Sequence, residues 1–223
     1  MKSLKESIQD NDFIITAEMA PPKGTDVKLF LKHGQLLKGL VNAVNVTDNQ
    51  RSIMRLGSLG GSILLANIGH DPIMQVTCRD RNRIALQSDL LNAHVLGIKN
   101  ILVLTGDYIN LGDHIESKPV YDLDSVMLLK VIANLNNGLD LAGNALKGNT
   151  DFLAGAALAL NAVPFGLQLI KFEKKLEAGA RFFQTQPVFD LNLFTRFLAT
   201  YEKRTVKIIA GVLLLKSAKM AGT

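Results

Sequence analysis

Ile101-Leu102-Val103-Leu104, followed directly by Thr105-Gly106-Asp107, is the stretch that decides the fold. The four apolar residues predict a buried strand, and the polar residues after them predict that the strand ends in a loop. A carboxylate at the carboxyl end of a buried strand lies where α/β folds keep their chemistry. Glu18 stands in the same relation to the first apolar run, 13–17. Two acids that follow two different strands therefore predict one site built from several loops.

Strand-like apolar runs alternate with stretches of helical period along the chain. Runs with so few polar interruptions are typical of a parallel sheet that is covered on both faces. We predict strands at 13–20, 43–48, 74–78, 100–106, 152–160, 182–186 and 206–215. We predict helices at 26–38, 52–66, 83–96, 124–134, 168–178 and 191–201. The alternation predicts one α/β domain over 1–223, a (β/α)8 TIM barrel truncated after its seventh strand, with the C-terminal βα unit missing.

Composition excludes several classes of protein. At 48% apolar residues the chain can build a sizeable core, and no window approaches the roughly 18 uninterrupted apolar residues of a membrane span. Its single cysteine excludes an internal disulfide, and its four histidines lack ligand spacing, so no metal site is expected. The net charge of +5 comes from dispersed basic residues with few aromatic partners, so no nucleic acid is expected. The N-terminus has no signal-like apolar segment, which predicts the cytoplasm.

Polar side chains are concentrated at the predicted carboxyl ends of the strands. One such group alone is more often a cap or a solvated turn than part of a site. Five groups on the same face of the predicted sheet favour a binding site there. They lie at 18–24, 47–51, 77–83, 105–107 and 184–187.

Three further segments have simpler interpretations. The alternating charges of 79–83 fit a network of ion pairs at a helix start better than a phosphate site. The lysines of 171–175 fit a solvated helix face, although one of them could reach an anionic cofactor. Segment 108–118 has no periodicity and predicts a functional loop over the barrel opening. No dinucleotide fingerprint, phosphate-binding loop or Ser/His/Asp arrangement is present.

These residues resemble methylenetetrahydrofolate reductases, most closely the form found in acetogenic and related anaerobic bacteria. The resemblance covers nearly the whole chain and rests on long segments in the same order, which makes it far more specific than one short motif. The segments are TAEMAPPKG at 16–24, NVTDNQR at 45–51, TCRDRNR at 77–83, LTGD at 104–107, KLEAGA at 175–180, FQTQ at 183–186 and AGVLLLKS at 210–217.

The resemblance implies a flavin-dependent (β/α)8 barrel that reduces 5,10-methylenetetrahydrofolate to 5-methyltetrahydrofolate by hydride transfer from the reduced flavin. It implies FAD as the cofactor, with FMN as the alternative. The electrons would come from NADH or from a partner iron–sulfur or flavin subunit, and the protein would be an oligomer.

Roles of single residues are carried over from the same resemblance. Glu18 matches the acid that protonates folate N10, and Asp107 matches an aspartate near flavin and pterin whose charge would stabilise the cationic iminium. Gln186 matches a side chain that hydrogen-bonds the pterin. The positions that line the flavin are Thr47, Asp48, Gln50, Gln75, Thr105, Gly106, Asp107, Tyr121, Asp122 and Lys175, with Lys175 matched to the cofactor phosphate.

The chain also departs from the family pattern. Its fifth strand is apolar near 159–160, where relatives carry a polar Asn-Pro, and Gly166 and Gln168 stand near family carboxylates. The apolar fifth strand and the missing C-terminal strand favour a first alternative, a non-catalytic or truncated barrel subunit that acts through partner proteins. A second alternative is a folate-dependent methyltransferase on a similar barrel, which binds the pterin without a flavin.

Overall fold

Residues 2–201, 206–215 and 217 are described by a computed structural model of the chain. Within them, strands β1–β7 span Thr16–Met19, Ala43–Val46, Pro72–Thr77, Asn100–Leu104, Leu153–Leu158, Phe182–Pro187 and Lys207–Gly211. Helices α1–α7 span Leu4–Gln9, Lys28–Leu37, Ser58–Asn67, Arg83–Val95, Ser125–Asn136, Phe165–Glu177 and Leu191–Tyr201. Two short 3-10 turns lie at Gln50–Ser52 and Ile109–Leu111.

The seven strands form one parallel sheet whose order in space is their order in the chain. A helix follows each of β1 to β6, so the carboxyl ends of the strands meet at one end of the sheet. The sheet curls as in a (β/α) barrel, which confirms the predicted fold class for the seven strands described. The missing C-terminal βα unit and the single-domain assignment stay predictions.

Alternation along the strands separates an inner core from an outer one. In β2, Ala43 belongs to the cluster inside the curled sheet, whereas Val44 packs toward α2 and α3. The inner cluster consists of Leu4, Ala43, Ile73, Leu102, Leu153 and Phe182. The largest cluster lies between the sheet and helices α4 to α7. Both faces of the sheet are therefore covered, as its apolar strands require.

Helix α1 closes the amino end of the inner core, and the predicted helices did not include it. Leu4 of this helix is fully buried in the inner cluster. Ser3 and Glu6 form a capping box at its start. The Asp71 carboxylate accepts the Leu4 amide at 2.6 Å and the Asn100 side-chain amide at 2.7 Å. Burial raises the pKa of Asp71 in spite of these two hydrogen bonds.

The predicted helix at 52–66 and the predicted strand at 206–215 differ most from the structure. The helix expected at 52–66 begins only at Ser58, because Asn49, Arg51 and Ser52 have positive φ values of 45°, 58° and 56° and cannot continue a right-handed helix. The strand expected at 206–215 pairs only over Lys207–Gly211. No helix in the described ranges is long and apolar enough to cross a membrane.

Candidate active site at the carboxyl ends of the strands

We call the carboxyl ends of β1–β6, together with the loops that follow them, the barrel mouth. Glu18 lies there on β1 with an exposed side chain. Gln50 Nε2 donates to Glu18 Oε1 at 3.3 Å, and Gln75 Nε2 donates to Oε2 at 3.2 Å. Both carboxylate oxygens are thus held by side-chain amides, one from the turn after β2 and one from β3. The side chain has a fixed direction and stays open to a ligand.

Asp107 contacts the loop after β2, which also carries Gln50. Its Oδ2 accepts the backbone amide of Arg51 at 2.6 Å, and Arg51 directly follows Gln50. Two consecutive residues therefore connect the two predicted catalytic acids. The structure brings Glu18 and Asp107 to one end of the sheet.

Three side chains converge on the backbone carbonyl of Asp107. Ser52 Oγ, Arg79 Nη1 and Tyr121 OH each donate to this oxygen at 3.2 Å. They come from the loops after β2, β3 and β4, respectively. The position of Asp107 is therefore set by three loops at once.

The turn that carries Gln50 has an unusual backbone. Its residues Asn49, Arg51 and Ser52 are all left-handed, a conformation that costs non-glycine residues on the order of 1 kcal/mol or more each. The surroundings hold it in place: Arg79 Nη2 donates to Asn49 O at 3.2 Å, and the Arg55 amide donates to Asn49 Oδ1 at 3.0 Å. Strain of this kind persists only where neighbours over-determine the backbone.

Ion pairs occupy the segment after β3, which confirms the ion-pair interpretation of 79–83. Arg79 pairs with Asp80, Arg81 pairs with Asp48 and Asp89, and Arg83 pairs with Asp122. The Arg79 pair lies within this segment. The other pairs join the segment to the loop after β2, to α4 and to the residues before α5. The segment therefore ties the loops of the barrel mouth together.

Two predicted flavin ligands use their carboxylates in these pairs. Asp48 Oδ2 accepts the amide and hydroxyl of Thr77, both at 2.9 Å, and contacts Arg81, and its side chain is only 3% exposed. Asp122 accepts the backbone and guanidinium of Arg83, and these hydrogen bonds lower the pKa of Asp122 to about 2. Both carboxylates hold loops together in this structure.

Other predicted ligands keep unused hydrogen-bonding capacity. The Thr47 hydroxyl is buried and has no hydrogen-bond partner among the described residues. Thr105 and Gln186 are exposed at the ends of β4 and β6. Gln186 lines a small cleft with Leu160 and Phe194. These groups are free to bind a ligand over the strand ends.

Lys175 is a partly buried cation that forms no ion pair with an acid of the described residues. Its Nζ donates to Ala157 O at 2.7 Å, and the described part of the chain gives it no ion pair with a carboxylate. Burial, reinforced by the charge of Lys171, lowers the pKa of Lys175 to about 8. The solvated-face interpretation is therefore wrong for this lysine. A cation held in this way favours an anionic ligand.

The long loop after β4 is fastened over the loops after β1 and β2. Asp113 contacts Lys23 and accepts the Met54 amide at 3.2 Å, and the hydrogen bond from Lys23 is the main cause that lowers the pKa of Asp113. At Gly112 an added Cβ would overlap Ser52. A cavity of about 410 Å³ remains beneath the loop, lined in part by Asn49, Ser52, Met54, Arg79, Asp80 and Ile109.

Sequence reasoning did not find the contacts of Ser52, Lys23 and Asp113. The sequence pattern predicts a helix that includes Ser52, and the pairing of Lys23 with Asp113 spans 90 positions. The missing periodicity of 108–118 predicted the loop but not its contacts with other loops. Arg79 was expected in an ion pair, although its bonds to two carbonyl groups were not.

Together, the fold and this arrangement define a (β/α)-barrel protein with an acidic and amide-rich site at the barrel mouth. Within that class the particular family is clear. The chain belongs to the methylenetetrahydrofolate reductase family, whose model matches residues 3–223. None of the curated protein sequences matches it.

Solved structures share the fold at low sequence identity. An uncharacterized protein from Clostridium thermocellum, which binds two copies of 5-methyl-5,6,7,8-tetrahydrofolic acid, aligns with a TM-score of 0.65 and 15% identity over 92% of this chain and 67% of its own. 2,3-Dimethylmalate lyase, a member of the PEP mutase/isocitrate lyase superfamily, aligns with a TM-score of 0.59 and 12% identity over 98% of this chain and 75% of its own. Such distant likeness shows the fold alone.

Proposed function

We propose that the protein reduces 5,10-methylenetetrahydrofolate to 5-methyltetrahydrofolate with electrons from a bound reduced flavin. The observation that carries the proposal is the linkage of Glu18 and Asp107 through Gln50 and Arg51 at the barrel mouth. Family membership supports a folate-related reductase. The folate ligand of the Clostridium thermocellum protein, which shares the fold, supports a folate as the substrate.

The two acids have different environments, which suits two different roles. The amides of Gln50 and Gln75 hold the side chain of Glu18 in place, and its exposed carboxyl group can reach folate N10 as the proposed proton donor. Asp107 is fixed by backbone and side-chain contacts from three loops, as a stationary charge beside a cationic iminium needs. Gln186 would hydrogen-bond the pterin from β6.

Several described residues fit a flavin. Among the described residues, the Thr47 hydroxyl has no hydrogen-bond partner and the Lys175 ammonium has no ion pair with a carboxylate, so they offer a donor to the ring and a cation to the phosphate. At Gly106 an added Cβ would lie 2.9 Å from the Arg79 Cβ, so only glycine fits this tight backbone next to the predicted ring position. The bound flavin supplies the hydride, and Gln50, Gln75, Thr105 and Tyr121 complete its predicted surroundings.

The nature of the cofactor and electron donor belongs to the same proposal. FAD is proposed, with FMN as the alternative, and NADH or a partner iron–sulfur or flavin subunit would supply the electrons. An oligomer in the cytoplasm is the proposed context.

The absorbance spectrum of the purified protein, supplied with FAD or FMN, tests the proposal. We expect bound flavin that is bleached by a reductant and recovers when methylenetetrahydrofolate is added. A colourless protein that binds 5-methyltetrahydrofolate would point instead to the methyltransferase alternative. A protein that binds neither flavin nor folate would point to the non-catalytic subunit.

A further inference from the structure

The guanidinium of Arg79 is the most completely enclosed charge of the barrel mouth. The residue is 1% exposed, yet it lies at the end of β3 between three loops. Nε and Nη2 donate to the two carboxylate oxygens of Asp80, each at 2.7 Å. Burial by itself raises the pKa of Asp80. The hydrogen bonds and the positive charge of Arg79 have the larger opposite effect, so the pKa of Asp80 is lowered.

The remaining donors of Arg79 reach the backbones of two other loops. Nη1 donates to Asp107 O, and Nη2 also donates to Asn49 O, both at 3.2 Å. The planar guanidinium has five N–H groups in a fixed fork, so one side chain can hold these acceptors in a set geometry. A lysine ammonium could replace the charge, but it could not reproduce the fork.

One of these carbonyl groups belongs to the turn that holds Glu18, and the other belongs to Asp107 itself. Asn49 begins the left-handed turn whose next residue, Gln50, donates to Glu18. The Asp107 carboxylate accepts a hydrogen bond from the backbone amide of Arg51, which belongs to the same turn. Displacement of either carbonyl group would therefore change the position of Glu18 relative to Asp107.

We propose that Arg79 is a positioning residue of this site, which holds the carbonyl groups of Asn49 and Asp107 and thereby sets the separation of Glu18 and Asp107. The inference rests on the proposed reductase function. Arg79 is 1% exposed, and its guanidinium bonds to the Asp80 carboxylate and to backbone carbonyl groups. Its effect passes through the turn at 49–52.

Two variants separate positioning from simple stability. Arg79→Lys keeps a cation for Asp80 but loses the fork. The double variant Arg79→Met with Asp80→Asn removes both charges, a replacement that buried ion pairs often tolerate without loss of stability. Arg181→Lys is the control, because Arg181 is exposed just before β6, at the other end of the sheet.

Half-reaction kinetics provide the functional measurement. In both Arg79 variants we expect flavin content and flavin reduction to stay within about twofold of wild type, while reoxidation by methylenetetrahydrofolate slows about 10-fold to 100-fold. The control should match wild type in both half-reactions. Equal losses in both half-reactions, or no loss in either, would overturn the positioning role.

Hydrogen exchange provides a measurement that does not depend on the reaction. The Arg51 and Arg55 amides, bonded to Asp107 and Asn49, should exchange at least about tenfold faster in the Arg79 variants than in wild type. Unchanged exchange would contradict the inference even in an active enzyme. Faster exchange in a protein that binds no flavin would reject the proposed reductase function and leave the structural part of the inference standing.

Discussion

At the scale of single residues, Lys175 shows a conflict between stability and binding. Its pKa of about 8 lies below the ordinary 10.5, because burial disfavours its charge. Between these pH values the unfolded chain holds a proton that the native protein lacks, so this group makes the native state more stable as pH rises through the window. At neutral pH the lysine is charged and destabilises the protein until an anion pairs with it.

Lys175→Met should therefore stabilise the ligand-free protein and weaken flavin binding. We expect a free energy of unfolding higher by on the order of 2 kcal/mol at pH 7, with the difference vanishing above about pH 10.5, and FAD affinity lower by about tenfold or more. Denaturant unfolding at several pH values and a fluorescence titration measure the two effects. The exposed neighbour Lys174→Met should change neither. A less stable Lys175→Met protein with unchanged FAD affinity would contradict this account.

Glu18→Gln tests the proton donor. The change preserves the size of the side chain and leaves an oxygen for Gln50 or Gln75, so folding and flavin content should be unchanged. Folate reduction should fall by about 10²-fold to 10⁴-fold, the typical contribution of a general acid. Glu116→Gln, an exposed acid in the loop after β4, is the matched control. Near-normal turnover in Glu18→Gln would remove this residue from the mechanism.

At the scale of elements, the loop after β4 depends on the turn at 49–52. Gly112 packs so tightly on Ser52 that a methyl group has no space, and Ser52 donates to the carbonyls of Asp107 and Tyr108. Asp113 adds contacts to Lys23 and Met54. The loop and the turn therefore form one unit above the strand ends.

Gly112→Ala should detach this loop without disturbing the core. Overpacking of this kind costs about 1–3 kcal/mol, and here it should appear as faster proteolysis within 108–118. Gly166→Ala is the control, because an added Cβ there meets open space in α6 and should stabilise that helix by about 0.5–1 kcal/mol. Equal protease resistance in wild type and Gly112→Ala would show that the loop does not rest on Ser52.

The same elements show where sequence reasoning reached its limit. Apolar runs predicted β4 and the polar groups behind it, because burial imposes that pattern on any covered parallel strand. They could not predict that Ser52 lies in a left-handed turn outside the helix, since the turn at 49–52 contains no glycine. The three hydrogen bonds to the Asp107 carbonyl group could not be predicted either, because every residue has a backbone carbonyl and the sequence does not show which one is used.

At the scale of the whole molecule, the strand order followed from the chain order because short βα connections leave few other arrangements. Helix α1 escaped prediction, since six residues are too short for a clear helical period. It nevertheless closes one end of the sheet. Leu4 is its fully buried contribution to the inner core, and Asp71 holds its first amide.

Leu4→Ala should lower global stability. Truncation of a fully buried leucine costs about 2–5 kcal/mol, which corresponds to a Tm lower by roughly 5–15 °C for a domain of this size. Val95→Ala removes an apolar side chain that is 83% exposed and should change stability by less than about 0.5 kcal/mol. Calorimetry of both variants decides. An unchanged Tm for Leu4→Ala would mean that α1 does not contribute to the core.

The central claim is that one flavin and one folate meet between Glu18 and Asp107 at the barrel mouth. A crystal structure of the protein with FAD and 5-methyltetrahydrofolate tests it most directly. We expect the flavin ring over the ends of β2 to β4, within reach of Thr47 and Asp107, with the pterin beside Glu18 and Gln186. A flavin or folate bound at the amino end of the sheet, or on the outer face of the helices, would contradict it.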